Sequence, residues 1–289
     1  MAAPAPHIAL VTARAHRDRD ADLEPLAEAL RRAGCHVSVP AWDDGDVDWT
    51  QPDLAVLRSP WDYVARYDEF LAWLDRAGSA TAIQNRPDVV RWSTDKRYLL
   101  ELAAAGVPIV PTQLIEPGEP VDPALLAGEV VVKPVVSAGS RHTARHTDAA
   151  AARAHAEELL GRGRAVLVQP YQPAVDHHGE TAMVFFGGTL SHGLRKGPLL
   201  TADAAPRDHA EGPTSLEVRV PSGHELDLAA RVLAAAPPDL LYARVDCLPG
   251  PDGRPVLLEL ELAEPSFFVT YVPGAADRFA RAVLEHLAA

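Results

Sequence analysis

The sequence predicts a mixed α/β (α+β) fold, with a parallel, Rossmann-like sheet at the N-terminus followed by hairpin-rich subdomains. Three observations point to it. Across residues 7–85 short apolar runs alternate with amphipathic helical patterns, the sequence form of a parallel sheet with crossover helices. Beyond the Pro/Gly/Asp-rich segment Pro117–Gly128, strand-like runs lie close together and turn about glycines, as in Gly179–His192 around Gly187-Gly188. Near the C-terminus, Tyr242–Glu264 reads as one long hairpin, with two apolar-rich arms flanking the turn cluster Pro249–Pro255.

The elements follow in order. His7–Thr12 is a buried strand, and Asp22–Ala33 a helix whose apolar face carries Leu23, Leu26, Ala27 and Leu30 and which Gly34 stops. Cys35–Val39 and Leu54–Leu57 are strands, Tyr67–Ala77 is a helix ended by Gly78, and Ala82–Asn85 is a short strand. No G-x-G-x-x-G follows the first strand, so no dinucleotide site is expected there. In parallel sheets ligands sit at the C-terminal strand edges, which places Arg58-Ser-Pro-Trp-Asp-Tyr63 at a candidate substrate edge. Asp88–Ala105 reads as a helix carrying Lys96, and Val107–Thr112 runs extended through its prolines.

Val130–Pro134 is a strand with Lys133 near its end, leading into the small-residue loop Ser137–Thr143, whose backbone N–H groups can face phosphate. It is not a Walker loop, because the G-x-x-x-x-G-K-[ST] pattern is absent. Thr147–Leu160 is an Ala-rich helix and Ala165–Gln169 a strand running into Pro170-Tyr171. Leu194–Gly197 ends the glycine hairpin with two cations, Thr201–Thr214 is a polar surface loop, Glu217–Val220 a short strand, Glu225–Ala236 a helix, and Phe279–Leu287 a closing helix.

Composition sets the bounds. At 289 residues the chain holds two or three domains, and its 47% apolar content supports a sizeable core. A formal charge of −13 argues against nucleic-acid or anionic-membrane partners, while leaving room for an anionic nucleotide in a locally basic pocket. Two cysteines, Cys35 and Cys247, lie in strand-like runs without CxxC or zinc spacing and read as buried thiols. A cytoplasmic protein is expected: the first residues lack the pattern of a signal peptide, and no apolar run is long enough to span a bilayer. The twelve histidines are scattered, and no G-x-S-x-G elbow is present.

The long hairpin carries the chemistry. Folded about its turn, Asp246 comes opposite Glu259 and Arg244 opposite Glu261, and strand alternation lets all four share one sheet face. Val245, Leu258, Leu260 and Leu262 then point to the core. Three carboxylates on one face repel unless a cation joins them, and Mg2+ accepts carboxylate oxygens while leaving room for phosphate. A solvated polar face on an exposed hairpin is the plain alternative.

Taken as an ordered set, Lys96, Lys133, the glycine loop, Gln169, Glu180, Arg195-Lys196, Arg244-x-Asp246 and Glu259-x-Glu261 resemble the ATP-grasp superfamily of carboxylate–amine ligases across essentially the whole chain. The resemblance implies an N-terminal pre-ATP-grasp domain (1–93), a small lid subdomain with its preceding helix (94–170) and a C-terminal catalytic subdomain (171–289). Four runs narrow the match to the group containing D-cycloserine ligase, which closes the isoxazolidinone ring of O-ureido-D-serine with ATP. They are Arg58–Tyr63, Val131–Gly139, Ser191–Lys196 and Leu258–Ser266.

Roles follow as implications of that likeness. Lys96 and Lys133 contact the ATP phosphates, with Ser137, Gly139 and Ser140 in the lid above them. Gln169, Pro170 and Tyr171 meet adenine, and Glu180 meets ribose. Asp246, Glu259 and Glu261 hold Mg2+, and Arg244, with Arg195 or Lys196, stabilises the transferred phosphoryl group or the tetrahedral intermediate. Arg58, Ser59, Trp61, Asp62, Tyr63 and Ser266 contact the substrate. Many family members carry Glu-x-Asn where this chain has Glu259-x-Glu261, which leaves the metal coordination open.

The implied reaction makes a C–N bond. A substrate oxygen attacks the γ-phosphate and an amine-type nitrogen then displaces phosphate, with the substrate losing one water. No nucleophilic side chain is required; positioning and charge stabilisation suffice. An intermolecular amino-acid ligase, a small-molecule kinase and a non-catalytic nucleotide-binding protein remain alternatives. The partner is a small molecule, and a homodimer is compatible with the sequence.

Overall fold

The computed structural model describes residues 4–207 and 214–288, so the centre of the polar loop expected over Thr201–Thr214 and the first residues of the chain lie outside the described residues. The N-terminal unit is a four-stranded parallel sheet built from β1 (His7–Thr12), β2 (His36–Ser38), β3 (Leu54–Ser59) and β4 (Ala82–Gln84), in the order β2-β1-β3-β4. Its crossovers are α1 (Leu23–Arg32) and α2 (Tyr67–Ala80). β3 is buried along its whole length, as a strand covered on both faces must be.

The single helix expected over Asp88–Ala105 is instead two, α3 (Pro87–Thr94) and α4 (Tyr98–Ala104), so Lys96 lies in the break rather than on a helix. The cause is local. The Thr94 hydroxyl bonds back to the Val90 carbonyl, Asp95 is extended, and its carboxylate accepts the backbone N–H of Arg97. The break has a consequence: the Lys96 backbone N–H bonds the Val135 carbonyl, which ties this segment to the lid strand below.

The second unit is an antiparallel sheet, β5 (Gln113–Ile115), β6 (Val130–Pro134), β7 (Ala144–His146) and β8 (Val166–Pro170), ordered β5-β8-β6-β7 and backed by α5 (Ala149–Gly161). Asp148 caps α5 by accepting the Ala150 N–H. β5 and β7 are only three residues long, too short for a periodic pattern, and were not expected.

After α6 (Ala174–His178), the third unit is a five-stranded antiparallel sheet, ordered β11-β10-β9-β12-β13. It contains β9 (Glu180–Phe186), β10 (Thr189–Lys196), β11 (Leu216–Arg219), β12 (Tyr242–Pro249) and β13 (Pro255–Glu261). Between β11 and β12 runs α7 (Gly223–Ala235), opened by a capping box in which Ser222 and Glu225 satisfy each other's backbone N–H. The closing helix is α8 (Ala275–Leu287). Gly187 and Gly188 turn the β9–β10 hairpin at positive φ, where a β-carbon would be strained.

The β12–β13 register is the one read from sequence: Arg244 pairs with Glu261, Val245 with Leu260 and Asp246 with Glu259. A bulge between Asp246 and Cys247 then shifts the pairing, so that Leu257 rather than Leu258 lies opposite Cys247 and is fully buried. Leu258 is only partly buried, against Val110, Tyr171 and Leu248. The N-terminal sheet and the five-stranded sheet share one core, in which Ile8, Leu10, Leu26 and Leu30 pack with Tyr242, Phe267, Phe279 and Val283. Among the described residues no helix is long and apolar enough to cross a membrane.

Candidate active site

The candidate face is a lattice of alternating charge on four adjacent strands, β10, β9, β12 and β13. Antiparallel partners share a face, so Glu180 and Lys196 on β9 and β10 face the same side as Asp246 and Glu259 on β12 and β13. Lys196 Nζ lies 2.7 Å from Asp246 and 2.8 Å from Glu180. Arg244 contacts both Asp246, at 2.9 Å, and Glu261. Lys96 reaches in from the helix break, 2.7 Å from Glu259 Oε1, and also donates to the Ser137 carbonyl at 2.7 Å. The same alternation puts Arg195 on the other face with Thr181 and Cys247, away from the lattice; of the two expected cations, only Lys196 joins it.

Burial and pairing set the protonation states. Burial alone would raise the Asp246 carboxyl, but Arg244 and Lys196 outweigh it and hold it below the usual range. Glu259 is likewise held low against burial by Lys96 and Lys133. Burial lowers the ammonium of Lys196, and Asp246 and Glu180 more than restore it. Glu261 goes the other way: burial, with Glu259 and Asp246 close by, pushes it up to about 7 despite Arg244.

Lys133 stands apart. It is buried on β6, next to both Glu259 and Lys96, yet makes no hydrogen bond or ion pair among the described residues. Burial pulls its ammonium down to about 8, against the attraction of Glu259. A buried cation without an ion pair among the described residues, beside a charged face, suits an anionic ligand.

Asp246, Glu259 and Glu261 share the face as expected, but as ion-pair partners; among the described residues no three His, Cys, Asp or Glu side chains gather closely enough to form a metal cluster. Asp246 is the least available, because both its oxygens are held by Arg244 and one also by Lys196. Glu259 and Glu261 each commit only Oε1 to a cation. Their free oxygens, on a face with no thiol or imidazole in the lattice, are a hard-oxygen donor set that suits Mg2+ when phosphate oxygens complete the shell.

Around the lattice the other expected residues take distinct places. Gln169 is buried and donates to Thr112 Oγ1 at 2.8 Å. Tyr171 donates to Asp176 at 2.6 Å beneath the Arg145 guanidinium, while Pro170 is exposed. Ser137 is buried under Lys96, and Gly139 and Ser140 turn at positive φ beside a cleft shared with Leu199–Thr201 and Arg207.

The Arg58–Tyr63 edge meets the catalytic subdomain directly. Arg58 is fully enclosed and braces the Pro265 carbonyl and Asp20; Ser59 is fully buried against Thr12. Trp61 Nε1 donates to the Glu264 carbonyl at 3.2 Å, and its own carbonyl accepts Arg141 Nη1 from the lid loop at 2.8 Å. Asp62 accepts the Trp42 indole N–H, and the deeply buried Tyr63 hydroxyl faces the Glu264 carboxyl. Ser266 presents its carbonyl to Arg244 at 3.1 Å.

Three residues of this region were not singled out in the sequence: His16, Arg141 and Glu264. His16 packs edge-on to Trp61, with Nδ1 buried and unpartnered, as is Arg141 Nε. A lone histidine after a strand gives no sequence signal. Glu264 did carry one, as a third acid spaced three residues past Glu261.

Comparisons with known proteins identify the family and the fold. A family profile described as the N-terminal domain of the D-cycloserine synthetase DcsG matches residues 8–85. The cycloserine biosynthesis protein DcsG of Streptomyces lavendulae is 38% identical over 97% of this chain and 98% of its own. The crystal structure of D-cycloserine synthetase DcsG superposes with a TM-score of 0.88 at 37% identity, covering 97% of this chain and 99% of the other. A D-alanine–D-alanine ligase from Bacillus anthracis, complexed with ATP, shares the fold at 17% identity, with a TM-score of 0.71 over 99% of this chain and 98% of that one.

Proposed function

The chain belongs to the DcsG family of ATP-grasp ligases, and from that premise we propose that it closes the isoxazolidinone ring of D-cycloserine from O-ureido-D-serine. It is an ATP-dependent ligase; the substrate and the roles below are our reading of the cleft. The observation that carries the reading is Lys133, a buried and unpaired ammonium beside a face of paired charges, where the phosphates of a nucleotide would complete the pairing.

Lys96 and Lys133 bind phosphate oxygens, and Glu259 and Glu261 hold Mg2+, with Asp246 fixing Arg244 and Lys196 beside them. When bound, Mg2+ neutralises phosphate charge as it builds up in transfer. Gln169, Pro170 and Tyr171 line the adenine end and Glu180 the ribose. Arg244 and Lys196 stabilise the negative charge on the carboxyl oxygens.

The substrate carboxylate oxygen bonds to the γ-phosphorus as the bond to ADP breaks. The nitrogen of the N–O group then bonds to the carboxyl carbon, loses its proton, and phosphate leaves with the former carboxyl oxygen. This closure removes one water from the substrate overall but leaves the carbamoyl group on the ring nitrogen. Hydrolysis of that group, with release of carbamate, gives the free ring. Loss of water alone, the balance expected from sequence, therefore describes only the closure. An ATP-using ligase of this kind works where ATP is present, in the cytoplasm.

The test is mass spectrometry of a reaction with ATP, Mg2+ and O-ureido-D-serine, with ADP and phosphate followed in parallel. A product lacking water, or lacking water and the carbamoyl group, with matching ADP and phosphate, supports cyclisation. Intact substrate overturns it, and a two-substrate adduct moves the function to intermolecular ligation.

A further inference from the structure

Every carboxylate of the catalytic lattice has a cation within ion-pair distance: Asp246 has Arg244 and Lys196, Glu259 has Lys96, Glu261 has Arg244 and Glu180 has Lys196. Glu264 does not. It lies on the turn that leaves β13, half-buried and close enough to feel Lys96, Glu259 and Arg244, yet no ion pair reaches it among the described residues. Among the described residues its side-chain hydrogen-bond partner is the neutral Tyr63 hydroxyl, on the expected substrate edge of the N-terminal sheet.

Its position is tightly built. Arg58 holds the Pro265 carbonyl at 3.0 Å, Trp61 the Glu264 carbonyl at 3.2 Å and Arg244 the Ser266 carbonyl at 3.1 Å. Three side chains from two sheets thus fix the turn and leave the Glu264 carboxylate without an ion pair among the described residues. Around the adjoining Trp61, His16 Nδ1 and Arg141 Nε are also buried without protein partners, the mark of a surface shaped for a polar molecule.

We propose that Glu264, oriented by Tyr63, is the anionic anchor for the positively charged amino group of the small-molecule substrate. A half-buried carboxylate gains most from a cationic group that arrives with its own hydrogen-bond donors. The metal-facing carboxylates lie on β13 itself, whereas Glu264 follows the strand and faces the N-terminal edge; this divides phosphate chemistry from amino-group recognition. Burial among other acids raises the Glu264 carboxyl to about 7, in keeping with an anion short of a counter-charge.

The assignment rests on the reading of the cleft as an amino-acid ligase, and the test separates the two. ATP-dependent phosphate release is measured with O-ureido-D-serine and several small D-amino acids, each paired with its des-amino counterpart, for the wild type, Glu264→Gln and Glu264→Asp. The wild type discriminates for the amino-bearing member of the productive pair. Glu264→Gln raises KM for that member by about 10- to 100-fold with little change in kcat, leaves its des-amino partner and the ATP KM unchanged, and Glu264→Asp recovers part of the loss. If discrimination is retained in Glu264→Gln, or absent from the wild type for every pair, the anchor is overturned. A loss equal for both members, with a raised Mg2+ requirement, makes Glu264 a metal ligand instead. If O-ureido-D-serine is inert but another pair shows the pattern, the anchor stands and the cyclisation reading falls.

Discussion

Two buried arginines sit a few ångströms either side of one turn and are built from the same parts. Arg58 donates to the Pro265 carbonyl, lies 4.0 Å over the Phe267 ring and faces Asp20 and Asp22. Arg244 donates to the Ser266 carbonyl, lies 5.5 Å over Phe268 and faces Asp246 and Glu261. They differ in what the acids do next. Asp22 commits its oxygens to the backbone N–H groups of Phe267, Phe268 and Val269, which closes the Arg58 cluster on itself. The Arg244 cluster stays open, because Glu261 and Glu259 each keep an oxygen and Lys133 keeps its charge. Buried charge whose acids are spent on backbone N–H groups locks a turn, while buried charge whose acids keep free oxygens is left to meet a ligand.

The sharpest way to break this contrast is to alter each arginine. Arg244→Lys keeps a cation beside Asp246 but loses the fork that reaches Glu261 and Ser266. Turnover should fall by about 100- to 1,000-fold while the melting temperature moves little. Arg58→Met leaves two buried acids unpaired and should cost about 3–5 kcal/mol of stability, with kcat per folded molecule retained. Denaturant unfolding and active-site-normalised phosphate release read both; a folded Arg58→Met enzyme with greatly reduced kcat would place Arg58 in the chemistry. Glu259→Gln extends the comparison to the metal. Loss of turnover of roughly 100-fold with a raised Mg2+ requirement and an unchanged fold is expected, and wild-type Mg2+ dependence would remove Glu259 from the metal set.

The open cluster was largely legible in the sequence because it lies on strands. A period of two and a Pro/Gly turn fix the register, and with it the shared face of Arg244, Asp246, Glu259 and Glu261. The same rule, applied to β10, would have put Arg195 on the other sheet face from Lys196, and the structure does so, pairing Arg195 with Thr181 and Lys196 with Glu180. Lys96 was legible as a residue but not as a geometry, since the break at Asp95 depends on hydrogen bonds that propensity does not report. The closed cluster was not legible at all. Asp20, Asp22 and Arg58 are brought to Pro265–Val269 across more than two hundred positions by packing of the two sheets, so Arg58 read equally well as a substrate contact.

Lys133 sharpens the contrast as a buried charge with no partner. Its ammonium is lowered from the usual 10.5 to about 8 in the folded state, so folding costs about 3 kcal/mol wherever both states are protonated, below pH 8. That cost is relieved as pH rises from 8 toward 10.5. Lys133→Gln should therefore weaken ATP binding by about tenfold or more and, at pH 7, raise stability by up to about 3 kcal/mol. Calorimetric ATP titration and urea unfolding of the apoprotein read the two effects. A variant both less stable and unchanged in ATP affinity would make Lys133 a structural residue like Arg58.

The smallest expected effect lies in the β5–β8 sheet and its helix α5, where two buried imidazoles share a hydrogen bond without any ion. His146 Nε2 and His155 Nδ1 share a hydrogen bond of 3.0 Å, which requires one ring to donate and the other to accept. Burial lowers both imidazoles, His155 to about 4, with His146 adding to the effect on His155 and the His142 backbone opposing it, while Asp203 and Asp148 oppose the lowering at His146. The sign follows from linkage. Above the unfolded value of about 6.5 neither state carries the proton and the pair contributes fully; as pH falls the unfolded chain takes a proton first, and stability drains until the folded rings titrate near 4. By pH 5 the loss attributable to His155 is about 2 kcal/mol. His155→Gln keeps a hydrogen-bonding group beside His146 and cannot titrate, so its stability should fall less than the wild type's between pH 7 and pH 5. Parallel pH profiles for the two proteins would mean that the pair is not held neutral.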